Sequence, residues 1–282
     1  MSIKEIELFA NDIRRNLVWA IGSKGGGHIG GCLSICDLIA VLYGEVMNYD
    51  PNTPNWQERD YLVCSKGHAA PALYAALALK GFFPMEWLKE LNRAGTNLPG
   101  HSDRKVPGID ATTGSLGQGL SIACGIAHGL KVQGKNQYVF CITGDGENDE
   151  GQIWEAAAYA SHYHLENLIM FLDWNKKQID GWNKEVMQLG DLAEKYRAFG
   201  WNSSVINGQD IAEIRQSIHK AVDIRNGHPT MILLDTVKGA GISCIEKIEN
   251  NHCIGVPDSL VKESLEELEA IRMQLKIRYG ES

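Results

Sequence analysis

The chain has 282 residues, 44% hydrophobic and 22% charged, with a formal net charge of -8. It can bury a full core, and without any run of Lys and Arg it disfavours a nucleic-acid or anionic-membrane partner and favours a small-molecule site. Seven cysteines, an odd number with no Cys-x-x-Cys pair, together with residues 1–7 that lack an apolar signal core, point to a reducing, cytoplasmic setting.

An amphipathic helix opens the chain, with Ile6, Phe9, Ile13, Leu17 and Ile21 on one stripe. Through the first hundred residues helices alternate with glycine-rich loops rather than with clear strands, and no apolar run approaches the ~20 residues that cross a bilayer. The loops carry the information: Gly27-His28-Ile29-Gly30, Ser65-Lys66-Gly67-His68-Ala69 and Pro99-Gly100-His101-Ser102. From about residue 118 the pattern turns to βα units. It predicts strands over 138–143, 167–172, 202–206 and 230–237, and helices over 152–163, 192–199 and 211–225. Strands alternating with helices imply an α/β fold, a parallel sheet flanked by helices, in a single domain over 1–282. A final helix over 258–279 sets Val261, Leu265, Leu268, Ile271 and Leu275 on one stripe.

Gly144-Asp145-Gly146 follows one predicted strand directly, and Asp173-Trp174-Asn175 follows the next. Two neighbouring parallel strands thus deliver a carboxylate and a carboxamide to the carboxyl end of the sheet, where open α/β folds bind ligands. Both are hard oxygen donors suited to magnesium or calcium, and magnesium fills its octahedron with water and phosphate oxygens. The glycines beside Asp145 let the backbone approach a phosphate. An Asp in a glycine-rich turn and an Asn at a loop cap are also common in α/β proteins, and a His in a glycine-rich loop is often a turn residue.

The longer segments narrow the reading. Gly144-Asp145-Gly146-Glu147-Asn148-Asp149-Glu150, then His164-Leu165-Glu166-Asn167, then Asp173-Trp174-Asn175-Lys176-Lys177-Gln178-Ile179-Asp180-Gly181 resemble the thiamine diphosphate signature of transketolases. The three histidine loops, Thr112-Thr113-Gly114-Ser115-Leu116-Gly117-Gln118-Gly119 and Thr236-Val237-Lys238-Gly239-Ala240-Gly241 stand in that family's order, and the resemblance covers nearly the whole chain. Because full-length transketolases carry two further domains, the chain is similar to the separately encoded amino-terminal subunits of split transketolases.

The resemblance implies thiamine diphosphate as cofactor, held through Mg2+, with Ca2+ or Mn2+ in its place. Asp145, Asn175 and the Lys177 carbonyl would bind the metal. His68, Lys66, Gly146, Asn175 and Lys238 would hold the diphosphate, and the Gly114 and Leu116 backbone would meet the aminopyrimidine. His28, His101 and His252 would line the catalytic channel. Glu150 would serve cofactor and catalysis from a subunit interface beside the partner's catalytic glutamate. His128, His162, His164, His219 and His228 lie in predicted helices or strand approaches and carry no such role. The sequence departs from the family at Trp174, where Asn is usual, at Ser115, where Pro is common, and around His252, where Asn251-His252-Cys253 replaces Trp-His-Gly.

By the same resemblance the reaction is transfer of a two-carbon ketol unit from a ketose to an aldose. It requires a second subunit that supplies the pyrimidine-binding and C-terminal domains, in an α2β2 assembly. The alpha subunit of a 2-oxo acid dehydrogenase is the nearest alternative, disfavoured by Gln178-Ile179-Asp180-Gly181 and the histidine loops. A non-catalytic, cofactor-binding subunit is disfavoured by the intact Asp145, Asn175 and Glu150. A nicotinamide fold is excluded, because no Gly-x-Gly-x-x-Gly follows a first strand.

Overall fold

The computed structural model describes residues 1–280. Five parallel strands, β1 (Tyr61–Cys64), β2 (Val139–Gly144), β3 (Leu168–Trp174), β4 (Asn202–Asn207) and β5 (Thr230–Asp235), form a sheet in the order β1-β2-β3-β5-β4. The register sets Gly144 beside Asp173 and Trp174 beside Asp235, so β2, β3 and β5 end close together. Nearly every residue of these three strands is buried, as expected of parallel strands covered on both faces.

Alternate residues feed two separate cores. Phe140, Ile142, Ile169, Phe171, Ile232 and Leu234 join one cluster with α1 (Ile3–Lys24), α2 (Ala70–Leu79) and α6 (Ile211–Asp223). Val139, Cys141, Leu168, Met170, Leu172 and Met231 join the other, with α3 (Gln118–Val132), α4 (Gly151–His162) and α5 (Leu192–Ala198). The last helix, α7 (Asp258–Arg278), lies against α1 and buries Leu268 completely. Local chemistry marks the helix ends. Ser2 and Glu5 form a capping box on α1, Gly25 closes that helix at φ 88°, and the Asp210 carboxylate accepts from two backbone N–H groups of α6.

Two expectations from the sequence are overturned. The first hundred residues do hold a sheet strand, β1, and Gly26–Gly27 pairs antiparallel with Ile254–Gly255. At four residues, Tyr-Leu-Val-Cys is too short and too uniformly apolar to show alternation. The helical run Ile29–Val46 is, by length and composition, apolar enough to cross a membrane; 83% of it is buried within the fold. Gly30, within it, reads as loop in the sequence, yet it is where another segment comes closest: an added Cβ would lie 2.3 Å from the Asn251 carbonyl oxygen.

Candidate functional site

Four adjacent strands deliver the chemistry. β1 leads into Ser65 and Lys66, β2 into Asp145, β3 into Asn175, and β5 into Lys238. A cavity over these ends is lined by His28, Lys66, His68, His101, Gly114, Leu116, Asp145, Gly146, Asn175, Lys177, Lys238 and His252, together with Glu147, Gln178 and Ile179.

The histidines arrive on three glycine loops and on the segment before α7. Their rings form one wall, with centroids 5.3 Å apart for His28 and His68, 5.8 Å for His28 and His101, 5.4 Å for His28 and His252, and 5.0 Å for His68 and His252. Two glycines make this approach possible. A Cβ on Gly67 would lie 2.6 Å from the Thr113 carbonyl oxygen, and one on Gly30 would lie 2.3 Å from that of Asn251. Asn251 itself is buried and donates to the carbonyls of Lys238 and Ile245, so the altered residues around His252 tie that segment down. Burial lowers the pKa of His28. Burial, reinforced by Lys66, pushes His68 down to about 2, and burial with Lys238 pushes His252 down to about 3. These rings are therefore neutral, each offering one N–H and one lone pair.

Asp145 is 5% exposed. Its Oδ1 accepts from Gly146 N at 2.8 Å, and its Oδ2 accepts from Lys176 N at 2.5 Å and from Asn183 Nδ2 at 2.8 Å. Burial and the neighbouring Asp173 push its pKa up to about 6, so the carboxylate lacks counter-charge where it sits. Lys176, at φ 70°, makes a left-handed turn between Asn175 and Lys177. The Lys177 carbonyl already accepts from a cation, the Lys238 ammonium, at 2.6 Å. A carboxylate short of positive charge, a carboxamide oxygen and a cation-facing carbonyl fit a hard divalent ion. Among the described residues no group of three or more His, Cys, Asp or Glu could hold a metal, so phosphate oxygens or water would have to complete this set.

Glu150 is exposed at the start of α4, outside the cavity lining and open to a neighbouring subunit; Glu147, three positions earlier, takes the buried place. Lys66 lines the cavity, but its ammonium is committed to Asp173 Oδ2 at 2.6 Å and the Gly31 carbonyl at 2.7 Å. Trp174 is half-buried and packs against the second core.

Sequence reasoning missed the supports beneath the lining. Glu147 accepts from the Ser65 hydroxyl, from Gly117 N at 2.9 Å and from Gly144 N at 3.0 Å, joining three loops. Asn183 holds Asp145, and Gln178 Nε2 donates to Asp149 Oδ2 at 2.7 Å. Asp173 was visible only as the residue ending a strand. Nothing in the local sequence marks which polar residue turns inward.

Residues 6–271 match the family described as transketolase, thiamine diphosphate binding domain. The chain is 49% identical over 272 residues to the 6-deoxy-6-sulfo-D-fructose transketolase subunit SqwG of Clostridium sp. (strain MSTE9), covering 95% of this chain and 98% of that one. It is 39% identical to an apulose-4-phosphate transketolase subunit from Actinobacillus succinogenes, covering 95% and 97%. The crystal structure of transketolase from Campylobacter jejuni superposes with a TM-score of 0.88 at 27% identity, covering 98% of this chain and 46% of that chain.

Proposed function

This chain belongs to the transketolase family and carries its thiamine diphosphate-binding domain, and from that premise we propose that it holds the cofactor's diphosphate through a divalent ion, magnesium in the cell, with calcium or manganese able to replace it. One observation carries the reading: Asp145, Asn175 and the Lys177 carbonyl meet beside Lys238 under a wall of four histidines. When bound, thiamine diphosphate supplies the electron sink that lets a two-carbon ketol unit leave a ketose and pass to an aldose. Burial, partly offset by Asp145, brings Lys238 down to about 8, so near pH 7 it is still a mostly charged donor for a phosphate. His28, His68 and His252, held neutral, can both donate to and accept from sugar hydroxyls and move protons. His101 is exposed on the same wall and would meet substrate first. The Gly114 and Leu116 backbone would face the aminopyrimidine; Gln178-Ile179-Asp180-Gly181 and the histidine loops speak against the 2-oxo acid dehydrogenase reading, and the intact Asp145, Asn175 and Glu150 against the non-catalytic one.

The likeness to named transketolase subunits, and the fact that the chain spans 46% of a longer transketolase, support a partner subunit with the pyrimidine-binding and C-terminal domains, in an α2β2 assembly with Glu150 facing that partner. Seven free thiols support a cytoplasmic location. The donor we propose is an anionic ketose of the 6-deoxy-6-sulfo-D-fructose kind, on the strength of the 49% identical relative. Titration of thiamine diphosphate with magnesium into the chain, alone and with its partner, tests the reading by calorimetry. Metal-dependent binding that strengthens with the partner and is lost in Asp145→Ala is expected, followed by turnover of the sulfonated ketose in preference to apulose 4-phosphate. No binding by the wild-type complex would leave the motif without a cofactor and overturn the proposal.

A further inference from the structure

Asp173 is fully buried, yet none of the reaction's groups calls for a carboxylate there. Its Oδ2 accepts from Ser34 Oγ at 2.7 Å, Lys66 Nζ at 2.6 Å and Asn175 Nδ2 at 2.8 Å, and its Oδ1 accepts from Thr236 Oγ1 at 2.5 Å. These donors come from four different segments: the turn after the His28 loop, the loop after β1, the end of β3 and the end of β5. Each of those segments also contributes to the cavity lining, through His28, His68, Asn175 and Lys238. Burial alone would raise the pKa of Asp173, but Lys66 and the converging hydrogen bonds bring it below the ordinary carboxylate value.

The arrangement fixes a choice that Asn175 could not make alone. A carboxamide can present either end, and only its oxygen coordinates a hard cation. Asp173 accepts from Nδ2, so the nitrogen is held inward and Oδ1 is left for the site; among the described residues Oδ1 accepts only from the Lys177 N–H, at a long 3.3 Å. The geometry points to Asp173 as a positioning residue that sets the rotamer of Asn175 so that its carboxamide oxygen faces the metal. This inference rests on the metal reading of Asp145, Asn175 and Lys177.

Asp173→Leu, a change to a side chain of similar size, would remove both acceptor oxygens and release the Asn175 amide to flip. The test is Mn2+ titration followed by electron paramagnetic resonance, on the chain in complex with its partner and saturated with thiamine diphosphate. Asp173→Leu is expected to raise the Mn2+ concentration at half-saturation ten- to hundredfold, the range seen when an outer partner of a metal ligand is removed. Excess Mn2+ should restore cofactor binding, which a misfolded site would not allow.

Because Asp173→Leu leaves the Lys66 ammonium buried without its partner, a second comparison sets Asp173→Leu with Lys66→Met against Lys66→Met alone. The double variant should melt near the single one and still show the ten- to hundredfold loss. If the double variant binds Mn2+ as Lys66→Met does, Asp173 serves only to neutralise Lys66 and the inference fails. Equal Mn2+ binding by Asp173→Leu and wild type overturns it as well. A wild-type complex that binds no divalent ion overturns the metal reading, and this inference with it.

Discussion

Asn183 donates its carboxamide N–H to Oδ2 of Asp145 at 2.8 Å across 38 residues of chain, while its own Oδ1 is buried with no hydrogen-bond partner among the described residues. The side chain thus serves the carboxylate more than it serves the fold. Asn183→Ala is expected to weaken metal-dependent thiamine diphosphate binding about tenfold. It should cost under about 1 kcal/mol of stability, a melting shift below about 4 °C. Calorimetry beside a melting curve separates the two; a large loss of stability with unchanged affinity would reverse the assignment.

Glu147 has the opposite balance. It is 2% exposed, touches no proposed metal ligand in hydrogen bonding, and joins Ser65 to the N–H groups of Gly117 and Gly144. Removing it strands two buried N–H donors, each costing about 1–3 kcal/mol. Glu147→Ala should therefore lose roughly 3 kcal/mol in urea unfolding, and Glu147→Gln, which keeps one acceptor, about half as much. A loss near zero for the alanine variant would mean that water reaches these donors.

The histidine wall predicts an acid limb. His68 and His252 have folded-state values of about 2 and 3, below the ordinary 6.5, because they are buried near Lys66 and Lys238. Below pH 6.5 the unfolded chain binds protons that the folded chain refuses. Stability is therefore flat above that pH and falls as pH drops, by about 1.4 kcal/mol per unit for each such ring. Urea unfolding of wild type and of His68→Gln with His252→Gln, from pH 7 to pH 5, tests this. The double variant should lose most of the slope, and identical slopes would show that these rings take up protons without unfolding.

The sequence made much of this site legible because its signals are local. The hydrophobic runs at 138–143 and 167–172 mark strands whose ends are fixed by the register of Gly144 beside Asp173, and the residues just beyond them, Asp145 and Asn175, could be read in order. The histidine loops were readable only through the resemblance, because a histidine in a glycine-rich loop is by itself often a turn residue. β1 was not, since four apolar residues have no period to detect. Nor were Asp173, Glu147 and Asn183, each of which has a partner 30 to 139 residues away in sequence.

Two glycines should respond to alanine in opposite directions, and the contrast tests how the histidine loops are held together. Gly30 is wedged between two segments: its N–H donates to the Asn251 carbonyl at 3.1 Å, its carbonyl accepts from Gly239 N at 3.1 Å, and an added Cβ would lie 2.3 Å from the Asn251 oxygen. Backbone cannot rotate away as a side chain would, so Gly30→Ala must push the His28 loop off the His252 segment. A cost of about 1–3 kcal/mol is expected. Cofactor binding should fall further than stability does, because the displaced loops carry His28 and His252. Gly129 lies within α3, where an added Cβ meets nothing within 4 Å, so Gly129→Ala in the isolated chain should gain about 0.5–1 kcal/mol from helix propensity alone. Urea unfolding and calorimetry on both variants read the pair. If Gly30→Ala binds thiamine diphosphate normally, contact between the two histidine loops is not what shapes the site.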